Sequence, residues 1–312
     1  MTLTELRYIV AVARERHFGR AAETCFVSQP TLSVAIKKLE DELGLQLFER
    51  GSTEISVTPI GQQIVEQAQK VIEEAQVIKE IARTGKDPLT GPLKVGVIYT
   101  IGPYLLPRLV PRMIHDHPGT PLVLQENFTV KLLELLRQGE IDVAIVADPF
   151  TSVGLFTQAL YDESFVVAVP KGHAWANRSS IKTEEIKEET MLLLGLGHCF
   201  RDHVLDVCPD LSRFSAGSGG MHKNFEGSSL ETIRHMVAAG LGITVLPELA
   251  SPAEDALLRY IPFEKPVPSR RVVLAWRKSF PRVLAIEALR KAVISLDVPA
   301  LRFWPDARPL AH

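Results

Sequence analysis

The chain opens on a helical stripe. Leu3, Leu6, Ile9, Val10 and Ala13 recur at helix spacing over residues 2–16. A second, short helical segment is predicted from about Arg20 to Cys25, and Phe26 and Val27 interrupt it. Ser28 then offers an N-cap oxygen, and Pro30 sits in a first turn, where a missing N–H is harmless. Leu32, Ile36, Leu39 and Leu43 follow at spacings of 4, 3 and 4, and Gly44 ends that helix. Helix, short helix, turn and helix in this order is the helix-turn-helix layout. LQLFER and ISVTP, separated by residues 51–54, predict a small hairpin, or wing. Thr58 and Pro59 then cap a long helix. From Ile64 its apolar positions Ala68, Val71, Ala75, Ile78 and Ala82 follow at 4, 3, 4, 3 and 4, a heptad seam. This helix either packs on its own domain or pairs with a second copy. Its long polar faces and its place after a DNA-binding unit favour the dimer.

Residues 85–92 carry two Gly and two Pro and read as a linker. Beyond it the pattern changes. LKVGVIY, PLVLQE, IDVAIV, FVVAVP, MLLL, GITVLP and VVLAW are short apolar runs of strand type, with helical stretches such as Pro103–His115 and Val130–Gln138 between many of them. Strands alternating with helices predict an α/β domain with largely parallel sheets. Roughly 210 residues suffice for two lobes with a cleft between them. The organisation expected is a winged helix-turn-helix at 1–58 and a linker helix and hinge at 59–90. A regulatory domain follows at 91–302, with lobe I at about 91–161 and 268–302 and lobe II at about 162–267. A tail occupies 303–312.

Charge limits the function without supplying it. Lys and Arg total 35 against 37 Asp and Glu, a net charge of −2, so any affinity for nucleic acid rests on local placement. No apolar run approaches the roughly 18–20 residues that span a bilayer, and the N-terminus has no leader pattern. A cytoplasmic protein without membrane contact is expected. Three cysteines, Cys25, Cys199 and Cys208, are too few for a disulfide scaffold.

Two segments carry candidate chemistry. On the second helix of the helix-turn-helix, the face opposite the core shows Gln29, Thr31, Ser33 and Lys37, with Pro30 at the tip. Small polar side chains there let a helix enter the major groove, while Lys37, Lys38 and Arg50 reach phosphates. The same residues also fit a solvated helix face, and charge does not decide, since residues 1–50 hold seven basic and seven acidic residues. In GLGHCFRDHVLDVC, Cys199 and Cys208 stand nine residues apart, with His198, Arg201, Asp202 and His203 beside or between them. Cationic neighbours favour a reactive thiolate, whereas small buried hydrophobes are the commoner fate of intracellular cysteine. Zinc held by His198, Cys199, His203 and Cys208 fits no standard spacing. If residues 200–208 are helical, the two α-carbons lie about 13–14 Å apart, and a disulfide needs them within about 7 Å. Bonding therefore requires the segment to unwind.

The first 60 residues resemble the DNA-binding domain of LysR-type transcriptional regulators. The residues that carry this are His17, Phe18, Arg20, Ala21, Ala22, the run Val27 to Ser33, Ile36, Leu39, Glu40, Leu43, Gly44, Leu47, Phe48, Arg50, Thr58, Pro59 and Gly61. The resemblance implies a winged helix-turn-helix, a dimerising linker helix and a two-lobed effector domain like periplasmic binding proteins. GHCFRDHVLDVC, VIYTIGPYLLPRLVP, SSLETIRHMVAAGLGITVLP and HAWANR are similar to the peroxide-sensing members of that family. Those imply a peroxidatic Cys199, a resolving Cys208, and a peroxide site of Thr100 and Thr129 with His198, Asp202 and Arg270. Pro209–Glu226 departs from the pattern, and no role carries over from it. The implied partners are a two-fold symmetric duplex DNA, hydrogen peroxide, a second copy of the chain in a dimer and a tetramer, RNA polymerase and cellular thiol reductants. The implied setting is nucleoid-associated, as an activator of oxidative-stress genes. No cofactor, metal or enzymatic activity is implied. Two other readings compete: a LysR-type regulator answering a small metabolite in the interlobe cleft, and an enzyme or solute-binding protein using the same cleft. Against the last, no nucleophile elbow, P-loop or Gly-rich dinucleotide motif occurs.

Overall fold

The computed structural model of the chain describes residues 1–50, 55–84, 89–207, 226–252 and 254–311. The turn of the expected wing, the linker residues 85–88, Cys208 and most of Pro209–Glu226 lie outside the described residues. The chain divides into two compact units, Met1–Gly85 and Lys86–His312.

The first unit is built on local signals. Helix α1 (Leu3–Glu15) starts at a capping box, in which Thr2 accepts from the Glu5 amide and the Glu5 carboxylate accepts from the Thr2 amide. Helix α2 (Phe18–Thr24) starts two residues before the expected Arg20. The reason is an unusual cap: His17 Nδ1 accepts from the amides of Gly19 and Arg20 at 3.1 and 3.3 Å. Helix α3 (Gln29–Leu43) is capped by the Ser28 hydroxyl and ends at Gly44, whose φ of 69° is left-handed. Strands β1 (Phe48–Arg50) and β2 (Ile55–Val57) pair antiparallel as the wing. Glu40 on α3 accepts from the amides of Leu47 and Phe48 and so ties the wing to α3. Helix α4 (Pro59–Thr84) is capped by Thr58, which accepts from the Gly61 amide. A Cβ on Gly61 would stand 2.3 Å from the Leu47 carbonyl oxygen, so only glycine fits there.

The long helix packs on its own domain over part of its length. Val65 and Ala68 are buried in the same core as Ile9, Leu32, Ile36 and Leu39, and Ile64 and Ile72 pack against it. Val71 and Ile78 are exposed, at 39% and 69%. The first turns are therefore committed to their own domain, and the later apolar positions are not.

The second unit is a mixed sheet flanked by helices. Its elements in order are β3 (Leu93–Ile98), α5 (Gly102–Asp116), β4 (Leu122–Asn127), α6 (Thr129–Gln138), β5 (Val143–Ala147), β6 (Leu155–Pro170), β7 (Leu193–Leu194), α7 (Cys199–Val207), β8 (Glu226–Gly227), α8 (Leu230–Ala238), β9 (Thr244–Pro247), β10 (Leu258–Pro262), β11 (Ser269–Arg277), α9 (Val283–Ile294), β12 (Leu301–Phe303) and β13 (Leu310–Ala311). The main path runs β10-β6-β11-β5-β3-β4, with β9, β12 and β13 also on β6. Largely parallel sheets were expected, and this is corrected. In the large sheet, parallel pairing joins only β4, β3 and β5, where α5 and α6 act as crossovers. Strand β11 returns antiparallel to β5 and β6, and β6 is antiparallel to β9 and β10. The physical reason is β6, a 16-residue strand. It passes from one hydrophobic core, containing Leu160 and Tyr161, into a second, containing Phe165 and Val167. A strand shared by two lobes forces the chain to come back beside it.

Helix α8 is capped by Ser229, which accepts from the Thr232 amide. Glu231 accepts from the Tyr104 hydroxyl on α5 at 2.8 Å and pairs with Arg234, so it connects helices rather than starting one.

Candidate functional site

The exposed end of α3 presents Gln29, Pro30, Thr31 and Lys37 to solvent, with Ser33 half-buried. The Thr31 hydroxyl lies 2.8 Å from that of Ser28, so Thr31 also secures the cap. Arg50 ends β1, and its side chain lies outside what the structure describes. Val34, not singled out in the sequence, is 70% exposed one turn beyond Thr31.

The second unit holds a small pocket lined by Ile98, Tyr99, Thr100, Asn127, Phe128, Thr129, Gly197, His198 and Cys199. Its volume is about 10 Å³, close to the space for one water-sized molecule. Four of the expected residues meet there, and the local structure says how. Thr100 stands between the end of β3 and the start of α5, Thr129 is the first residue of α6, and Cys199 is the first residue of α7. The starts of α6 and α7 line one cavity, together with the turn that follows β3. Helix starts present unsatisfied N–H groups, which favour developing negative charge. Phe128, the N-cap of α6, gives no side-chain cap bond.

The hydroxyls differ. Arg270 Nη1 donates to Thr100 Oγ1 at 2.8 Å, and Nη2 donates to the Thr100 carbonyl at 3.0 Å. The Thr100 hydroxyl hydrogen is thereby left for another acceptor. Thr129 Oγ1 is buried and has no hydrogen-bond partner, an arrangement that folded proteins rarely leave without a reason. Arg270 is itself held by Glu163, with Nε to Oε2 at 2.8 Å, both side chains at most 1% exposed. The two face each other across β11 and β6. Glu163 also accepts from the Leu249 amide. Arg270 therefore stands behind Thr100 rather than on the pocket wall, and Glu163, invisible to motif reading, positions it.

Cys199 is a free, half-buried thiol. His198 is 7% exposed, and burial lowers its basicity, opposed by a hydrogen bond to the Ser228 carbonyl. Asp202, expected beside the pocket, is on the exposed side of α7 and is not part of the wall. Arg201 donates to the Leu194 carbonyl at 2.8 Å. Helix α7 touches both cores: Cys199 packs on the first, while Phe200 and Val204 are buried in the second. His203 bonds through Nε2 to the Asp148 carbonyl at 2.7 Å, and burial lowers its basicity below the ordinary value. Among the described residues, no group of three or more His, Cys, Asp or Glu is placed to hold a metal ion. Among them, too, no helix is long and apolar enough to cross a membrane.

Residues 3–62 match the model of the bacterial regulatory helix-turn-helix protein, lysR family, and residues 86–296 match that of the LysR substrate binding domain. A hydrogen peroxide-inducible genes activator of Dickeya chrysanthemi is 43% identical over 90% of this chain and 91% of its own. A solved full-length OxyR from Pseudomonas aeruginosa, carrying a cysteine-to-aspartate change, is 51% identical with a TM-score of 0.72, covering 95% of this chain and 96% of that one. A cysteine mutant of Corynebacterium glutamicum OxyR, solved with H2O2 bound, is 33% identical with a TM-score of 0.62, covering 94% and 91%.

Proposed function

The chain belongs to the LysR family of transcriptional regulators, in the branch of the hydrogen peroxide-inducible gene activators, and on that premise we propose that it controls transcription through peroxide oxidation of Cys199. The observation that carries the reading is the unpartnered Thr129 hydroxyl, buried in a water-sized pocket that Thr100 and Cys199 also line. The Cys199 thiolate attacks one peroxide oxygen and the O–O bond breaks. Sulfur is oxidised by two electrons to sulfenic acid, and the other oxygen leaves as hydroxide with the bonding pair. Hydroxyls at Thr100 and Thr129 and the amides at the start of α6 orient the peroxide and stabilise the leaving hydroxide. His198 and Arg270 complete the setting, Arg270 by fixing Thr100.

Condensation of the sulfenic acid with the Cys208 thiol releases water and forms the disulfide. Cys199 and Val207 open and close the nine-residue α7, about 12 Å apart at roughly 1.5 Å rise per residue. One further residue brings the chain at most about 3.8 Å nearer, still beyond the reach of a disulfide. Oxidation must unwind the end of α7, and with it the packing that joins α7 to both lobes. That is the bistable element such a switch requires.

Duplex DNA is read by Gln29, Pro30, Thr31, Ser33, Lys37 and Arg50 in a dimer joined through α4, with tetramer formation, RNA polymerase contact and reset by cellular thiol reductants. The setting is the cytoplasm, at the nucleoid. Ser33→Ala is expected to weaken binding to the duplex that the wild type selects from a random pool by roughly 5- to 100-fold. Random duplex should be bound nearly as before, and equal losses on both would remove Ser33 from base reading.

The pocket itself is tested by Thr129→Val, which keeps shape and removes the hydroxyl. We expect Cys199 oxidation, followed by mass spectrometry of sulfenic-acid adducts, to slow by roughly 10- to 100-fold. The melting temperature should be unchanged or slightly raised, because an unsatisfied buried hydroxyl disappears. Oxidation at the wild-type rate sinks the assignment.

A further inference from the structure

The mouth of the pocket is ringed by aromatic side chains from three separate elements. Phe128 and His198 meet edge to face at 4.8 Å between ring centres, Tyr99 and Phe128 at 5.2 Å, and Tyr99 and His198 at 6.0 Å. Tyr99 and Phe128 are each 37% exposed, while His198 at 7% lies deeper. Tyr99 and Phe128 therefore form the outer part of this wall, beside the half-buried Cys199 thiol. The wall also fits closely on its remaining side: Gly197, at φ 95°, lies against the Phe128 ring, and a Cβ there would stand 3.4 Å from it.

Phe128 occupies a position where local rules ask for something else. It is the N-cap of α6, with extended backbone angles and no side-chain cap bond. Ser, Thr, Asp and Asn are favoured there because their oxygen satisfies a free amide. A bulky ring at an N-cap, next to the orphaned Thr129 hydroxyl, is a local preference overridden, and such overrides mark functional positions.

We infer that Phe128, backed by Tyr99 and the His198 ring, is the specificity-determining residue of the pocket, admitting hydrogen peroxide and excluding alkyl and aryl hydroperoxides. This rests on the function proposed above. The chemistry is indifferent to the substituent. With an organic hydroperoxide the thiolate takes the terminal oxygen, the O–O bond breaks, and the alkoxide leaves with the electron pair and is protonated to the alcohol. Sulfur is oxidised by two electrons in both cases. Discrimination therefore comes from volume. The space of about 10 Å³ is water-sized and leaves no room for an alkyl group, which must displace the Phe128 ring.

The test compares rate constants for Cys199 oxidation in the full-length protein by hydrogen peroxide and by cumene hydroperoxide. In Phe128→Ala the ratio of the cumene hydroperoxide rate to the hydrogen peroxide rate should rise by about tenfold or more, since a hydrophobic pocket discriminates by this order per group of atoms. Phe128→Leu should fall between, and Val130→Ala, at a 71% exposed position on the same helix, should leave the ratio alone. Phe128→Ser supplies a better N-cap and secures a folded variant; it too should raise the ratio. An unchanged ratio in folded Phe128→Ala and Phe128→Ser overturns the inference, whether both rates fall, rise or stay together. A wild-type Cys199 indifferent to hydrogen peroxide is a different result and overturns the function itself.

Discussion

Cys199→Ser is expected to leave a folded protein that binds DNA and shows no transcriptional response to peroxide. The loss should be complete, because serine is not a nucleophile toward the O–O bond under these conditions, and the change removes no more than a half-buried sulfur. Cys208→Ser should behave differently. Sulfenic acid should still form at Cys199 without being locked as an intramolecular disulfide. In the wild type, hydrogen exchange of the reduced and oxidised forms should differ most between about residues 195 and 227. The reason is the double attachment of α7, with Cys199 on one core and Phe200 and Val204 in the other. Unwinding it must repack both lobes. A Cys199→Ser protein that still answers peroxide would place the switch elsewhere and restore the metabolite-sensing reading.

Arg270→Met should be the most destabilising single change at the site. Arg270 and Glu163 are an ion pair removed from solvent, with side chains 1% and 0% exposed. Removing the guanidinium leaves the Glu163 carboxylate buried with the Leu249 amide as its remaining hydrogen-bond donor. Breaking such a pair costs about 3–5 kcal/mol, which for a unit of this size lowers the melting temperature by on the order of 10 °C. The double change Arg270→Met with Glu163→Gln removes the stranded charge and should recover most of that loss. It should not recover the rate of Cys199 oxidation, because Thr100 has still lost the donors that orient it. Thermal unfolding and thiol oxidation rates measured on the three proteins separate the two roles. If the double variant regains wild-type oxidation, Arg270 serves the fold alone.

Much of the DNA-binding unit could be read without coordinates. Its caps at Ser28 and Thr58, the stop at Gly44 and the 4-3-4 apolar spacing of α3 act within a few residues. The misplaced start of α2 shows where this ends. A histidine ring capping two amides is poorly ranked by propensity, so the sequence offered no reason to begin the helix at Phe18. The sheet in the second unit was misread for a comparable reason. FVVAVP looks like a strand of six residues, yet it is the second half of β6, whose first half, Leu155–Ser164, alternates burial too irregularly to declare itself. Missing that half concealed the antiparallel return of β11.

The order of most elements and the identity of the residues able to do thiol chemistry were legible along the chain. Each of these depends on spacing along the chain, where neighbours are a few residues away. Only the tertiary structure decided which of them meet. Thr100, Thr129, His198 and Cys199 come together because β3, α6 and α7 end or begin at one place, and Asp202, exposed on α7, is not among the residues that line the pocket. Glu163 gained its role from cross-strand register with Arg270, and Phe128 from packing against rings on two other elements. Hydrogen-bond partners, burial and cavity size are properties of contacts between distant residues, so they exist only once the chain has closed on itself.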